Sequence, residues 1–218
     1  METENNFSWV DEPVSLVTRE DLPASIRFDM EFEEARYING LKKQALTDLL
    51  SELPSPKTIV HIISNGSGGT YRHGSNPIAF EFGHFIPVLC DMLGGKNLTC
   101  YISTWTMNRW HALNLLELVD TGGIKSLNII TDPYFLKREA VVANTLVEGI
   151  LKRKQRFKAF KNHVKAVAIK NEIGKTVSIL ASANLSSQPR AENYSLTTDP
   201  GLYRFLVDDF FEVMLNAE

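Results

Sequence analysis

Two residues apart, His163 and Lys165 in His163-Val164-Lys165 set a nucleophile or base beside a cation. The apolar run Val164 to Ile169 reads as a strand, and residues at i and i+2 of a strand project from one face. A second strand-like run, Thr176 to Ser182, leads into Ala181-Ser182-Ala183-Asn184, which places two hydrogen-bonding side chains, Ser182 and Asn184, at the same spacing. If the two runs pair as neighbours, the four side chains converge: a nucleophile, a cation and two polar groups suited to the oxygens of a tetrahedral anion. That is phosphate chemistry. Glu192, in Pro189-Arg190-Ala191-Glu192-Asn193-Tyr194, is placed to accept the ring N–H of His163 and hold the imidazole in its reactive tautomer. Each pair alone has a structural explanation, since strand ends are rich in Ser and Asn. The joint spacing carries the reading.

The remaining candidates carry less. His84 and His111 fall in helical patterns and His61 in an apolar strand, and none has a metal-ligand partner at useful spacing. No metal and no cofactor is therefore expected. Asn65-Gly66-Ser67-Gly68-Gly69 follows a strand but lacks both G-x-x-x-x-G-K-[ST] and the third glycine of G-x-G-x-x-G. It reads as a loop bordering a site at the strand carboxyl ends, with His73 either a site residue or solvated. Cys90 and Cys100 are too few for a disulfide framework and read as buried thiols.

The elements that must position these residues follow from composition and pattern. The 218 residues, 44% hydrophobic and 22% charged, suffice for one compact domain with a real core. No apolar run approaches the roughly 20 residues that cross a bilayer, and residues 1–34 hold ten acidic and two basic side chains where a secretory signal would be basic and then apolar. A cytoplasmic protein with no membrane partner is expected. The net charge of −3 conceals a segregation, because Gly149 to Asn171 contains eight basic residues and no acid. Of these, Lys152, Arg153, Lys154, Arg156, Lys158 and Lys161 lead into His163. They are either a phosphate-binding field or a solvated face.

Residues 1–55 read as an acidic N-terminal arm ending in a helix through Leu41, Ala45, Leu46, Leu49 and Leu50, and residues 56–218 as the folded domain. Strands are expected at Thr58 to Ile63, Leu98 to Thr104 and Ile124 to Thr131, alternating with helices at Ala79 to Leu93, Asn108 to Val119 and Leu136 to Lys152. Two adjacent strands and a closing helix, Leu202 to Leu215, complete the chain. Repeated βαβ units with an antiparallel addition define an α/β class: a mixed, mainly parallel sheet flanked by helices.

His163-Val164-Lys165, followed by Ala181-Ser182-Ala183-Asn184-Leu185 and then Glu192-Asn193, resembles the H-x-K and G-S-x-N signature of the phospholipase D superfamily, and most closely its small single-motif members of phage and prophage origin. The resemblance spans about residues 160 to 198. It implies a phospholipase D-like fold over 56–218 and a metal-independent phosphodiesterase, nuclease-like, working through a phosphohistidine. His163 would attack phosphorus, Lys165 and Asn184 would hold the non-bridging oxygens with Ser182 in support, and Glu192 would orient His163. Family members need two histidines, so one H-x-K motif implies a homodimer with two motifs face to face. DNA or RNA is the implied substrate, with the basic segment on the backbone. The sequence departs from the pattern twice: Lys170 stands where the family has an acid, and Ala181 where it has glycine. An alternative is a catalytically degenerate nucleic-acid-binding or phage accessory protein; a third reading is an unrelated α/β protein with a structural His163.

Overall fold

The computed structural model describes residues 34–39, 53–64, 81–186 and 192–217. The helical pattern through Leu41 to Leu50, the glycine-rich loop, His73 and Pro189-Arg190-Ala191 lie outside them, as does most of the 1–55 segment. Within that segment Glu34–Asn39 forms β1, which pairs in parallel with β2, Thr58–Ser64.

The other strands are β3 (Leu98–Thr104), β4 (Ile124–Thr131), β5 (Arg156–Ala159), β6 (Ala166–Lys170), β7 (Thr176–Ala181) and β8 (Glu192–Thr197). They form one mixed sheet in the order β1-β2-β8-β7-β6-β3-β4-β5. The α/β class is as the sequence predicts. Three of the seven pairings are parallel and four antiparallel, so the antiparallel share is larger than βαβ counting suggests. The reason lies in β8. Its partly polar sequence, Glu192-Asn193-Tyr194-Ser195-Leu196-Thr197, hides a strand that inserts between β2 and β7.

A short 3₁₀ turn, Phe82–His84, leads into α1 (Phe85–Met92); α2 is Arg109–Asp120, α3 Pro133–Arg138 and α4 Ala140–Lys152. The helix expected from Leu136 to Lys152 is broken at Glu139, whose backbone leaves the helical region. The chain closes with α5 (Pro200–Arg204), a π-helical stretch Phe205–Phe211 and α6 (Glu212–Asn216), a wider-wound form of the single helix expected there.

Strand alternation splits the core into two layers. Cys100, Ile102, Leu127, Ile129, Val167, Ile169, Val177 and Ile179 face α1, α2 and α4 in the main cluster. The alternate residues Tyr101, Ala166 and Ala168 are also buried, but on the face covered by the C-terminal helices, where Tyr101 packs on Phe211 at 5.3 Å between ring centroids. In the main layer α2 and α4 approach at Gly149, where an added Cβ would lie 2.5 Å from a Leu116 methyl. No helix among the described residues is long and apolar enough to cross a membrane.

Candidate active site

The strand registers bring one set of ends to a single rim. Ser64 at the end of β2 faces Glu192 at the start of β8; Ala181 at the end of β7 faces Tyr194; Leu180 faces Ala166 at the start of β6; and Ser103 near the end of β3 faces Ala166 from the other side. β4 and β5 end on the same rim, with Thr131 opposite Thr104 and Ala159. Ligands of open α/β sheets gather outside strand carboxyl ends, and five of these strands end here by their carboxyl ends.

His163 does not lie on a strand. It sits exposed in the loop between β5 and β6, and Lys165 is the residue immediately before β6. The turn is fixed by Asn162, whose Oδ1 accepts the Val164 N–H at 2.8 Å and whose Nδ2 donates to Ser103 Oγ at 2.7 Å. The two side chains meet all the same: Lys165 Nζ is 2.8 Å from His163 Nδ1, 3.1 Å from Nε2 and 2.8 Å from the His163 carbonyl oxygen. No in-plane position is that close to both ring nitrogens without colliding with the carbon between them. The ammonium therefore lies over the ring, and the in-plane lone pair needed for attack is not spent on it. Lys165 is 7% exposed, and burial pulls its pKa below the ordinary lysine value, against an opposing pull from Glu192.

Ser182 and Asn184 lie just past β7, on the same rim. The Ser182 hydroxyl donates to Glu192 Oε2 and accepts the Asn193 N–H at 3.0 Å. Glu192 is thus held by Ser182 rather than by the His163 ring. The topology explains it: β7 lies between β8 and β6, so Glu192 starts two strand spacings, about 10 Å, from the strand that His163 precedes. Asn184 Oδ1 accepts the Trp105 N–H at 3.2 Å, and its NH₂ donors, the atoms an anion needs, enter no hydrogen bond among the described residues. The Trp105 ring stands 6.0 Å from that of His163. Neither Trp105 nor Asn162 emerges from sequence reasoning. The available signal was their place, each just past a strand that ends on this rim.

The basic run does not form one patch. Lys152, Arg153 and Lys154 lie at the end of α4, which leads to the start of β5 and therefore to the edge opposite His163. Arg153 makes a bidentate ion pair with Asp120, donating from Nε at 2.7 Å, and holds the Asp120 carboxyl below its usual range. Arg156 is bound to Glu212 at 2.8 and 3.0 Å, and Lys158 donates to the Ala217 carbonyl. Lys161, exposed and two residues before His163, is the member of the run that reaches the rim. Lys170 stands at the other end of β6, five residues or about 16 Å from Lys165, with its ammonium over the Tyr203 ring at 5.6 Å.

A histidine–carboxylate pair does exist, elsewhere. Buried His111 presents Nε2 to Glu81 Oε2 at 2.7 Å, and burial lowers the imidazole pKa against the pull of that carboxylate. Both cysteines are buried, and burial pushes the Cys90 thiol up to about 12. Among the described residues no three His, Cys, Asp or Glu side chains gather as a metal site.

No family model matches the chain, and no curated protein does. Solved structures to which it is similar include a phospholipase D family member, Nuc, from Salmonella typhimurium (14% identity over 72% of this chain and 95% of that one, TM-score 0.47). An archaeal chromatin protein has 14% identity over 81% and 60%, TM-score 0.45. A phosphatidylserine synthase from Haemophilus influenzae has 15% identity over 69% and 37%, TM-score 0.46.

Proposed function

We propose that this protein is a phosphodiesterase of the phospholipase D type, acting on nucleic acid as a homodimer through a phosphohistidine. The observation that carries the reading is the exposed His163 ring with the Lys165 ammonium over it, on a rim that also holds Ser182, Asn184 and Glu192.

The chemistry assigns each group a role. A ring nitrogen of His163 bonds to phosphorus as the ester P–O bond breaks, and the leaving oxygen takes a proton from a second histidine, the same residue of a second copy. Water then attacks the phosphohistidine, giving its proton back to that second histidine, and His163 is released. Lys165 and the Asn184 amide hold the non-bridging oxygens of the phosphoryl group as it is transferred. Glu192 acts through Ser182 and through its field on Lys165, a positioning role in place of direct support for the imidazole. The chain's own groups supply the nucleophile and the charge, so the proposed turnover needs no added metal. Lys170, packed on Tyr203 at the far end of β6, touches none of these groups.

The test is hydrolysis of bis-p-nitrophenyl phosphate, single-stranded DNA, duplex DNA and RNA in the presence of EDTA. Turnover of at least one supports the proposal. Binding that weakens with salt, with no hydrolysis of any substrate, would make the protein the non-catalytic binder instead. Light scattering should report about twice 24.5 kDa; a monomer would remove the second histidine and with it the catalytic cycle.

A further inference from the structure

We propose that Tyr134 and Trp105 form a stacking platform for one base of a single-stranded nucleic acid whose phosphodiester is held at His163. This rests on the nucleic-acid reading above and narrows it to strands whose bases are free to stack.

The geometry is specific. The two rings stack at 5.2 Å between centroids with their planes 13° apart, and Trp105 in turn stands 6.0 Å from the His163 ring. Tyr134 is 49% exposed, so the pair ends in an aromatic surface open to solvent. It is also held rigidly. Pro133 opens α3, and Asp132 caps it by accepting the Tyr134 N–H at 2.7 Å on Oδ1. The other oxygen of the same Asp132 accepts the N–H of Asn162 at 3.2 Å, and the Phe160 N–H donates to the Thr131 carbonyl at 2.8 Å. One carboxylate thus ties the platform to the turn that carries His163. Ring and nucleophile keep a fixed separation.

The surroundings suit a strand. Lys161, exposed, precedes His163, and Lys137, exposed, lies three residues after Tyr134 on the same face of α3. Cations that track a backbone, interleaved with aromatics that accept any base, are the elements of single-strand binding. In a duplex the bases already stack on one another, and reaching the platform would cost the energy of extrusion.

The experiment is fluorescence anisotropy with labelled single strands of DNA and RNA, the same strands lacking bases, and the DNA duplex, each against wild type, Tyr134→Ala and Tyr134→Phe. Tyr134→Ala should weaken binding of both intact strands roughly ten-fold, the lower part of the range for losing one stacked base, and leave abasic and duplex affinity unchanged. Tyr134→Phe should restore the wild-type values. Equal weakening on abasic strands, or no weakening on intact ones, would overturn the platform. Circular dichroism of each variant guards against misfolding, and Trp105→Phe, which keeps a ring, should retain discrimination against abasic strands. If wild type shows that discrimination but hydrolyses nothing, the phosphodiesterase reading fails while the platform stands.

Discussion

Two cationic regions lie on opposite edges of the sheet and use their charge in opposite ways. At the start of β5, Arg153 and Arg156 are committed to Asp120 and Glu212, so both arginines of a conspicuous charge run are spent inside the chain. At the rim, Lys165 is buried, lies over an imidazole and makes no ion pair among the described residues. A single cation that is desolvated and unneutralised offers an anion more than several solvated or paired ones, because attraction strengthens as water is excluded. Counting charges along the sequence does not register which of them are paired or buried.

The comparison breaks most sharply at its nucleophile. His163→Ala should lower turnover at least ~10³-fold while oligonucleotide affinity stays within a few-fold, whereas Arg153→Gln should leave turnover unchanged; steady-state kinetics decides. Glu192→Gln should follow with a loss of about 10- to 100-fold in kcat and a smaller change in KM, and Ser182→Ala should reproduce part of it if the carboxylate acts through that hydroxyl. A pH profile sharpens the account of Lys165. Because its pKa is lowered, the ammonium loses its proton below the pH at which a solvated lysine would, and phosphate affinity should fall on that alkaline limb. An affinity flat to the ordinary lysine range would contradict a buried, anion-holding Lys165.

The region at the start of β5, remote from the rim, should respond weakly. Lys161→Gln should reduce the salt dependence of single-stranded DNA binding by about 0.7 per phosphate lost, while Lys152→Gln with Lys154→Gln should change it less; equal slopes would erase the distinction between the regions. Smallest is the ion pair of Arg156 with Glu212. The depressed Glu212 pKa gives stability that is present above the unfolded carboxylate value and lost as pH falls through the folded one. With both side chains about a third or more exposed, Glu212→Gln should cost no more than about 1 kcal/mol in urea unfolding at neutral pH, and less in acid.

Apolar periodicity made β3 and β4 legible to the residue, because both are largely buried on two faces and rich in Leu and Ile. It missed β5, whose Arg156-Phe157-Lys158-Ala159 is an edge strand with only Phe157 large and apolar, and β8, where polar residues alternate with Tyr194 and Leu196. The candidate site was legible as residue types: His163, Lys165, Ser182, Asn184 and Glu192 do share one rim. Partnership was not. Which residue Glu192 touches depends on β7 lying between β8 and β6, a long-range fact that local spacing does not contain. The same limit hid Trp105, which reaches His163 across the sheet from the end of β3.

The most direct test of the central claim is to mix the protein with a phosphodiester substrate in EDTA, quench in base within one turnover, and locate the phosphoryl group by mass spectrometry. The account predicts an acid-labile, base-stable adduct on His163 that is absent from His163→Ala. Turnover with the adduct on another residue, or turnover that appears only when a divalent metal is added, would contradict it.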